Sequence, residues 1–470
     1  MAAYNPGASQ PGFSRQTNAA HPSTAGRHTC KAAMLRTALL NIYQKRVQAL
    51  TSRLPLAQLL ARAADNPALL NRLGLFQSAA AVPARGAEQG LCRARAALEC
   101  SHAARRPDPA RLRARVSDHA RRQYALTLAR HDPESARQWL APTDWELDLA
   151  LDLAAGRADL ALHKARKSAS NISKSKNLHE ILAAAHTCLG DFSAARNNLS
   201  QLLTDSRIYV PPGDTPLRPA DFIGLAPISP RPVAAGAPLI SVIICARDAA
   251  PYINNALQSI QAQTYPNIEI IAIDDGSTDN TFQHLSAAAA QNPRINIART
   301  KNHGVYAARN MALQRAKGEF ITFLDADDIM LATRLQDQAA LLQASGACAA
   351  VSRLLRLTAD GQLAAPRVFP FVRHNPCSLM IRRDALAVIG QFEEMRFGAD
   401  EEYEHRMQVL LGFHSIARSR AVQTVALHRP QSLTQHGATG LGSDQGRQRR
   451  IAYRETWMRR HASLAPLRTP

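Results

Sequence analysis

The run Glu319-Phe320-Ile321-Thr322-Phe323-Leu324-Asp325-Ala326-Asp327-Asp328 constrains this chain more than any other stretch. An apolar strand ends on three carboxylates. Clustered like charges repel and resist desolvation, so a buried strand that ends this way calls for a cation or a polar ligand. Hard oxygen donors of this kind suit Mg²⁺ or Mn²⁺, which can bridge protein carboxylates to the phosphates of a nucleotide. Open α/β sheets bind ligands at their strand ends. The run therefore predicts an α/β domain with a metal-bound phosphorylated ligand.

The texture of the chain changes along its length. Residues 1–33 are polar and lack an apolar core of the secretory kind, so they read as a disordered tail, with Met34 a candidate start. Residues 34–208 read as helix after helix, rich in Ala, Leu and Arg with apolar residues three and four apart. Within them the pieces around Gly156 and Gly190 resemble each other at a spacing of 34 residues, as in tetratricopeptide repeats. The expectation is an irregular helical-hairpin region that resembles those repeats. Residues 209–238 hold eight prolines, too many for regular helix, and read as a linker over a surface. From there to residue 436 short β-rich runs alternate with helical patterns: Leu239–Cys245, Ile268–Asp274, Ile295–Arg299 and Phe320–Leu324, then Ala349–Leu357, Ser378–Ile381 and Ala421–Ala426. Alternation at this spacing implies a mixed, mainly parallel sheet flanked by helices. Residues 437–470 form a basic tail with a helix around Gly446–Arg460.

Charge and cysteines bound the partners. The chain carries 57 Lys+Arg against 37 Asp+Glu; 31 and 17 of these lie before Leu239, which gives that part a net +14 and the rest +6. The basic first half invites peripheral contact with anionic lipid or glycan, and its helical hairpins invite a protein partner. Nucleic acid is not expected as a partner. The seven cysteines are scattered without zinc-site or disulfide-framework spacing, which points to a reducing cytoplasm. No apolar run is long enough to span a bilayer. The expected location is cytoplasmic, at most peripheral to the inner membrane face.

Four constellations fall at predicted strand ends: Ser241 to Ile253, Ile271 to Thr281 with Asp274-Asp275-Gly276-Ser277, Asn302 to Asn310 with Gly304 and Arg309, and the opening run. In this order and spacing they resemble the nucleotide-sugar half of the family-2 glycosyltransferases, whose fold is the GT-A type. The segment Phe397 to Arg406 resembles the stretch of that family holding its general base, and Thr424 to Thr434 resembles its late His segment.

The resemblance implies residue roles. Asp275 would contact the base, Arg309 the diphosphate, Asp325 the ribose or metal, and Asp327 the metal. Cys245, Arg247, Asp248, Gly304 and Ala326 would complete the donor site, and His428 would join Asp325 and Asp327 at Mn²⁺ or Mg²⁺. Asp400 would take the proton of the acceptor hydroxyl, with Glu401 the alternative base. Asp328 would orient its neighbours or cap the next helix. The chain departs from the family at Cys245, where Pro is common, and at Arg247-Asp248, where Tyr-Asn is common. The implied activity is inverting transfer of a sugar from a nucleotide diphosphate, a UDP-sugar, to a saccharide or lipid-linked glycan in cell-surface polysaccharide synthesis.

Two other classes compete. One is an inactive scaffold that binds partners through its helices, against which stand Asp275, Asp325, Asp327 and Asp400. The other is a nucleotidyltransferase, which would need a Gly-rich, Lys-bearing loop where the chain has Ala246-Arg247-Asp248-Ala249-Ala250.

Overall fold

The computed structural model describes residue 64 and residues 66–464, apart from 74, 85, 101–105, 168–175, 230, 366–367, 430–431, 433–438 and 441–442. The tail expected over residues 1–33 and the start of the helical region lie outside the described residues. One compact unit spans Leu54–Pro470.

The first part of that unit is helical: α1 (Pro67–Leu73), α2 (Phe76–Ala81), α3 (Ala87–Cys100), α4 (Asp118–Leu128), α5 (Trp145–Ala154), α6 (Ala158–Lys167), α7 (Lys176–Cys188) and α8 (Phe192–Leu202). The two repeated pieces form successive helical hairpins, α5 with α6 and α7 with α8. Each turns at a glycine in the left-handed region, Gly156 at φ 75° and Gly190 at φ 76°, where a side chain would be strained. Asp191 caps α8 by accepting from the Ala194 N–H at 3.1 Å. The hairpin helices share a core with Ile329, Leu355 and Val425 of the sheet, so the helical part and the sheet pack together. The proline-rich stretch is anchored there too. Phe222 and Leu217 are buried in the same core, and just ahead of the stretch the Thr333 hydroxyl donates to the Ser206 carbonyl at 2.9 Å.

Among the described residues nine strands form the sheet: β1 (Ile240–Ala246), β2 (Ile268–Asp274), β3 (Ile295–Arg299), β4 (Phe320–Asp325), β5 (Ile329–Met330), β6 (Ala349–Leu357), β7 (Arg373–His374), β8 (Met380–Arg382) and β9 (Ile416–Leu427). Their order is β3-β2-β1-β4-β8-β6-β9-β5, with β7 on β6. Strands β1 to β4 are parallel, β8 is antiparallel to β4 and β6, and β6 and β9 are parallel. This is the expected mixed, mainly parallel sheet flanked by helices and preceded by a helical region.

Strand periodicity sends alternate residues to opposite faces. Val242, Ile244, Ile270, Phe320 and Leu324 pack under α9 (Ile253–Gln261), α10 (Thr281–Gln291) and α12 (Arg334–Ser345). Ile243, Ile271, Ile321 and Phe323 pack under α11 (Val305–Arg315) and α13 (Ala399–Leu411). A last helix, α14 (Asp444–Leu464), buries Trp457 and Met458 against Leu70, Leu75 and Ala79 of the helical part. It also buries His461 against α13, where the His461 ring bonds Glu402 at 2.8 Å and His405 at 2.8 Å. No helix among the described residues is long and apolar enough to cross a membrane.

Candidate active site

The parallel strands β1, β2 and β4 deliver their C-terminal ends to one edge. In register, Ala246 lies beside Asp274 and Cys245 beside Asp325. This juxtaposition follows from the apolar runs alone, because each run stops where its polar motif begins.

The loops after β1 and β2 brace each other. Asp248, at φ 46°, accepts from the Thr278 N–H at 2.8 Å and the Thr278 hydroxyl at 3.0 Å. The Asp248 carboxyl is held below the usual range chiefly by the Thr278 N–H. Asp275 is buried. Its Oδ1 accepts from the Thr300 hydroxyl and from the His303 N–H at 2.8 Å, and its Oδ2 accepts from the Gly304 N–H at 2.8 Å. About one of its four acceptor positions is left for a ligand. Gly276, at φ 72°, lets this happen: a Cβ there would stand 2.9 Å from the Asn302 nitrogen. Asp274 is fully buried and pairs with Arg299 at 2.8 Å. Arg247 stays exposed at the mouth, 3.4 Å from Asp248. Cys245 lies below, its thiol pushed up to about 12 by burial.

Helix α11 places Arg309 beneath the acidic strand end. The guanidinium expected to face a diphosphate is only 3% exposed. It donates to Asp325 Oδ1 at 2.8 Å and lies 5.3 Å from the ring centres of both Tyr306 and Phe323. Arg309 thus orients Asp325 from within the protein. A second cation, Arg334 of α12, is wholly buried. It donates to the Thr322 hydroxyl at 3.1 Å and the Phe323 carbonyl at 2.8 Å, and burial pushes it down to about 10. Sequence reasoning missed Arg334 because nothing marks a helical Arg as buried.

The other two acids differ from Asp325. Asp327 receives the Arg429 Nε–H at 2.6 Å, and burial raises its carboxyl despite that partner. Asp328 accepts from the Leu427 N–H at 3.2 Å. Burial, then Asp327 and Asp325, raise its carboxyl well above the ordinary range. Arg429 in turn lies 5.0 Å from the Tyr252 ring centre. His428, read as a ligand, has a buried Nδ1 without a hydrogen-bond partner among the described residues. Burial, then Arg356, lower its pKa and keep the imidazole in the neutral form that a metal needs.

Among the described residues no group of three His, Cys, Asp or Glu gathers as a metal cage. The donor chemistry fits a hard cation that takes one or two carboxylates and completes its shell with phosphate oxygens and water. Asp325 and Asp327 meet that description, provided Arg429 yields Asp327.

Asp400 opens α13 after Gly398. Its Oδ1 accepts from the Tyr306 hydroxyl at 3.0 Å and the Glu401 N–H at 3.0 Å, and Cys377 Sγ stands 3.7 Å from its Oδ2. Cys377 also lies 3.6 Å from Arg309. Tyr306, Arg309 and Cys377 therefore link Asp400 to Asp325, and both acids line one cavity. Glu401 points to Arg454 at 2.6 Å, which leaves Asp400 the better placed base. Tyr306 and Cys377 sit inside motifs visible in the sequence, but their pairing with Asp400 depends on the fold.

Parallel strands with acids at their ends thus border the same cavity as Asp400. Residues 241–403 match the family model described as glycosyl transferase family 2, and this segment is a family-2 glycosyltransferase domain. An uncharacterized glycosyltransferase of Haemophilus influenzae is 41% identical over 102 residues, 22% of this chain and 41% of that protein. Glycosyltransferase GlyG of Streptococcus pneumoniae is 43% identical over 93 residues, 20% of this chain and 31% of that protein. Chondroitin synthase of Pasteurella multocida is 39% identical over 93 residues, 20% of this chain and 10% of that protein. The chain thus spans less than half the length of these relatives. Among solved structures, S. aureus TarS 1-349 in complex with UDP-GlcNAc aligns at 20% identity and a TM-score of 0.35, over 41% of this chain and 59% of that one.

Proposed function

We propose that this protein is an inverting glycosyltransferase that moves a sugar from a nucleotide diphosphate, a UDP-sugar, to a saccharide or lipid-linked glycan in cell-surface polysaccharide synthesis. One observation carries the reading: Asp400 and Asp325 border the same cavity and are tied together through Tyr306, Cys377 and Arg309. The family-2 segment contains all five residues, and a chondroitin synthase among the relatives supports polysaccharide synthesis.

In this reading the donor lies over the ends of β1, β2 and β4. The last acceptor position of Asp275 takes a base N–H. Cys245, Gly304 and Ala326 form the floor, Arg247 and the braced Asp248 the rim, and Asp325 reaches the ribose. Asp327 with Asp325 would hold Mg²⁺ or Mn²⁺, and neutral His428 stands within the same segment as Arg429. A bound divalent cation supplies Lewis-acid stabilisation of the departing diphosphate. Asp400 removes the proton of the acceptor hydroxyl as that oxygen attacks the anomeric carbon from the face opposite the nucleotide. The bond to the diphosphate oxygen breaks and the anomeric centre inverts. Tyr306 keeps the Asp400 carboxylate aimed by donating to Oδ1.

The test is Asp400→Asn. Turnover should fall by roughly two or more orders of magnitude, the usual size of a lost general base, while UDP affinity by calorimetry stays within about twofold. Collapse of UDP binding, or full activity, overturns the assignment. A wild-type chain that binds no nucleotide sugar, with or without Mn²⁺, would support the scaffold reading instead.

A further inference from the structure

Helix α13 carries Asp400 in its first turn, and that turn is weakly built. Its N-cap is Gly398, at φ 75° and with no side chain to cap the helix. The Glu402 N–H reaches the Gly398 carbonyl only at 3.3 Å. The first N–H groups of a helix lack intrahelical acceptors, so a turn without a capping side chain frays readily. A general base placed there needs support from elsewhere, because a displacement of about 1 Å can cost about 100-fold in rate.

The support comes from α14, which lies beyond the family-2 segment ending at residue 403. Arg450, Tyr453, Arg454 and His461 follow helical spacing and so share one face of it. Arg454 pairs with Glu401 at 2.6 Å. His461 bonds Glu402 at 2.8 Å, with both side chains buried. The Arg450 guanidinium lies 5.2 Å from the Phe397 ring centre. The Tyr453 ring packs beside Gly398, 3.6 Å from where a Cβ would stand, and its hydroxyl donates to Glu393 at 2.8 Å. Both residues that follow Asp400 are thus held by α14, whereas Asp400 itself is held by Tyr306 of α11. The other face of α14 is fastened to the helical part. Glu455 accepts from the Ser78 hydroxyl of α2 at 2.8 Å, Gln448 donates to the Cys100 carbonyl at 2.8 Å, and Met458 lies among Leu70, Leu75 and Ala79. Helix α14 is therefore a strap fixed on both sides.

We infer that Arg454 and His461 are positioning residues for the reaction: they hold the first turn of α13 so that the Asp400 carboxylate stands at the acceptor hydroxyl. This rests on the reading of Asp400 as the base. Its consequence is that the family-2 segment does not place its own base unaided. Helix α14, braced by the helical part, completes the task.

The experiment uses the full chain with Mn²⁺ and with water as the acceptor, so that no contact of Arg454 with an acceptor sugar enters. UDP release from UDP-glucose and from UDP-N-acetylglucosamine gives kcat and KM. Hydrogen exchange read by mass spectrometry follows the amides of residues 400–406. The Arg454–Glu401 pair is partly exposed, at 34% and 50%, and such pairs contribute little to stability. Arg454→Met should therefore leave the urea midpoint nearly unchanged, yet lower kcat roughly tenfold with KM within about twofold. Exchange over residues 400–406 should quicken in the same variant. Arg454→Lys, which keeps the ion pair, should recover most of the rate. His461→Gln, which keeps a donor for Glu402, should likewise outpace His461→Leu. An unchanged kcat in Arg454→Met, a fall that only tracks lost folded protein, or exchange no faster than in wild type overturns the inference. Asp400→Asn run alongside separates the two readings. If it keeps the wild-type rate, the base assignment fails, and the exchange data alone judge the grip of α14. A wild-type chain that releases UDP from neither donor counts against the donor reading, and the exchange data again decide.

Discussion

The pair Arg309–Asp325 makes an asymmetric prediction. Arg309's side chain is 4% exposed and Asp325's is 38% exposed, with 2.8 Å between them. Removing Asp325 strands a guanidinium that water cannot reach. Breaking a buried pair from the carboxylate side in this way costs about 3–5 kcal/mol. The aromatic rings around Arg309 return part of that, since a desolvated cation–π contact contributes roughly 1–2 kcal/mol. Asp325→Ala should therefore destabilise by about 2–3 kcal/mol. Removing Arg309 instead leaves a carboxylate that is over a third exposed and can be hydrated. Arg309→Met, which keeps most of the packing volume, should cost only about 1 kcal/mol. The double variant should be less destabilised than Asp325→Ala alone, with a coupling energy of about 1–2 kcal/mol. Urea denaturation of the four proteins at pH 7 closes the cycle. If Asp325→Ala proves no more costly than Arg309→Met, or the two changes simply add, Arg309 is not held in place by Asp325. The whole account of the strand end then fails.

Other perturbations follow from single contacts. Tyr306→Phe removes one hydroxyl donor from Asp400; turnover should drop roughly tenfold, the effect of one hydrogen bond to a charged group, with UDP affinity unchanged. Arg429→Ala frees Asp327 from its guanidinium; Mn²⁺ affinity without nucleotide, read by electron paramagnetic resonance, should rise severalfold, and unchanged affinity would remove Asp327 from the metal site. Glu180 is buried in α7 and accepts from the Val372 N–H, and burial raises its carboxyl to about 8. Its folded pKa lies above its unfolded one, so its stabilisation is complete below about pH 4.5 and is lost as pH climbs to about 8. Glu180→Gln should flatten the urea midpoint across that range, gaining up to a few kcal/mol over wild type by pH 8. Parallel pH profiles for the two proteins would refute it.

Much of the sheet is legible in the sequence for a physical reason. A strand buried on both faces reads as a near-continuous apolar run, so Ile268–Asp274 emerges with the same limits in sequence and structure; Ile295–Arg299 and Ala349–Leu357 keep their limits too, although the first is a part-exposed edge strand. β9 begins at Ile416, five residues before the run at Ala421, because Arg418 and Arg420 face outward and break the apolar signal. The two-residue strands β5 and β7 are too short for periodicity to mark. The repeated glycines are legible as hairpin turns because a left-handed turn selects them wherever it occurs.

The site divides differently. Which acids stand at the strand ends is a local property, readable wherever an apolar run stops. Which cation answers each acid is not, because the partners come from distant parts of the chain. His428 draws attention as the metal-ligating residue type, yet its neighbour Arg429 reaches Asp327 across 102 residues. Tyr306 reaches Asp400 across 94. Arg309 lies close to Asp325 in sequence, and there burial is what misleads: an Arg on an amphipathic helix looks solvent-facing until three aromatic rings close around it. Every acid read from the sequence as reactive is thus answered by a basic or hydroxyl group whose position only the fold decides. Those groups set which carboxylates can take a proton, a metal or a ligand. The chemistry of the site is therefore written in two places, the motifs that supply its acids and the tertiary packing that supplies their counter-charges.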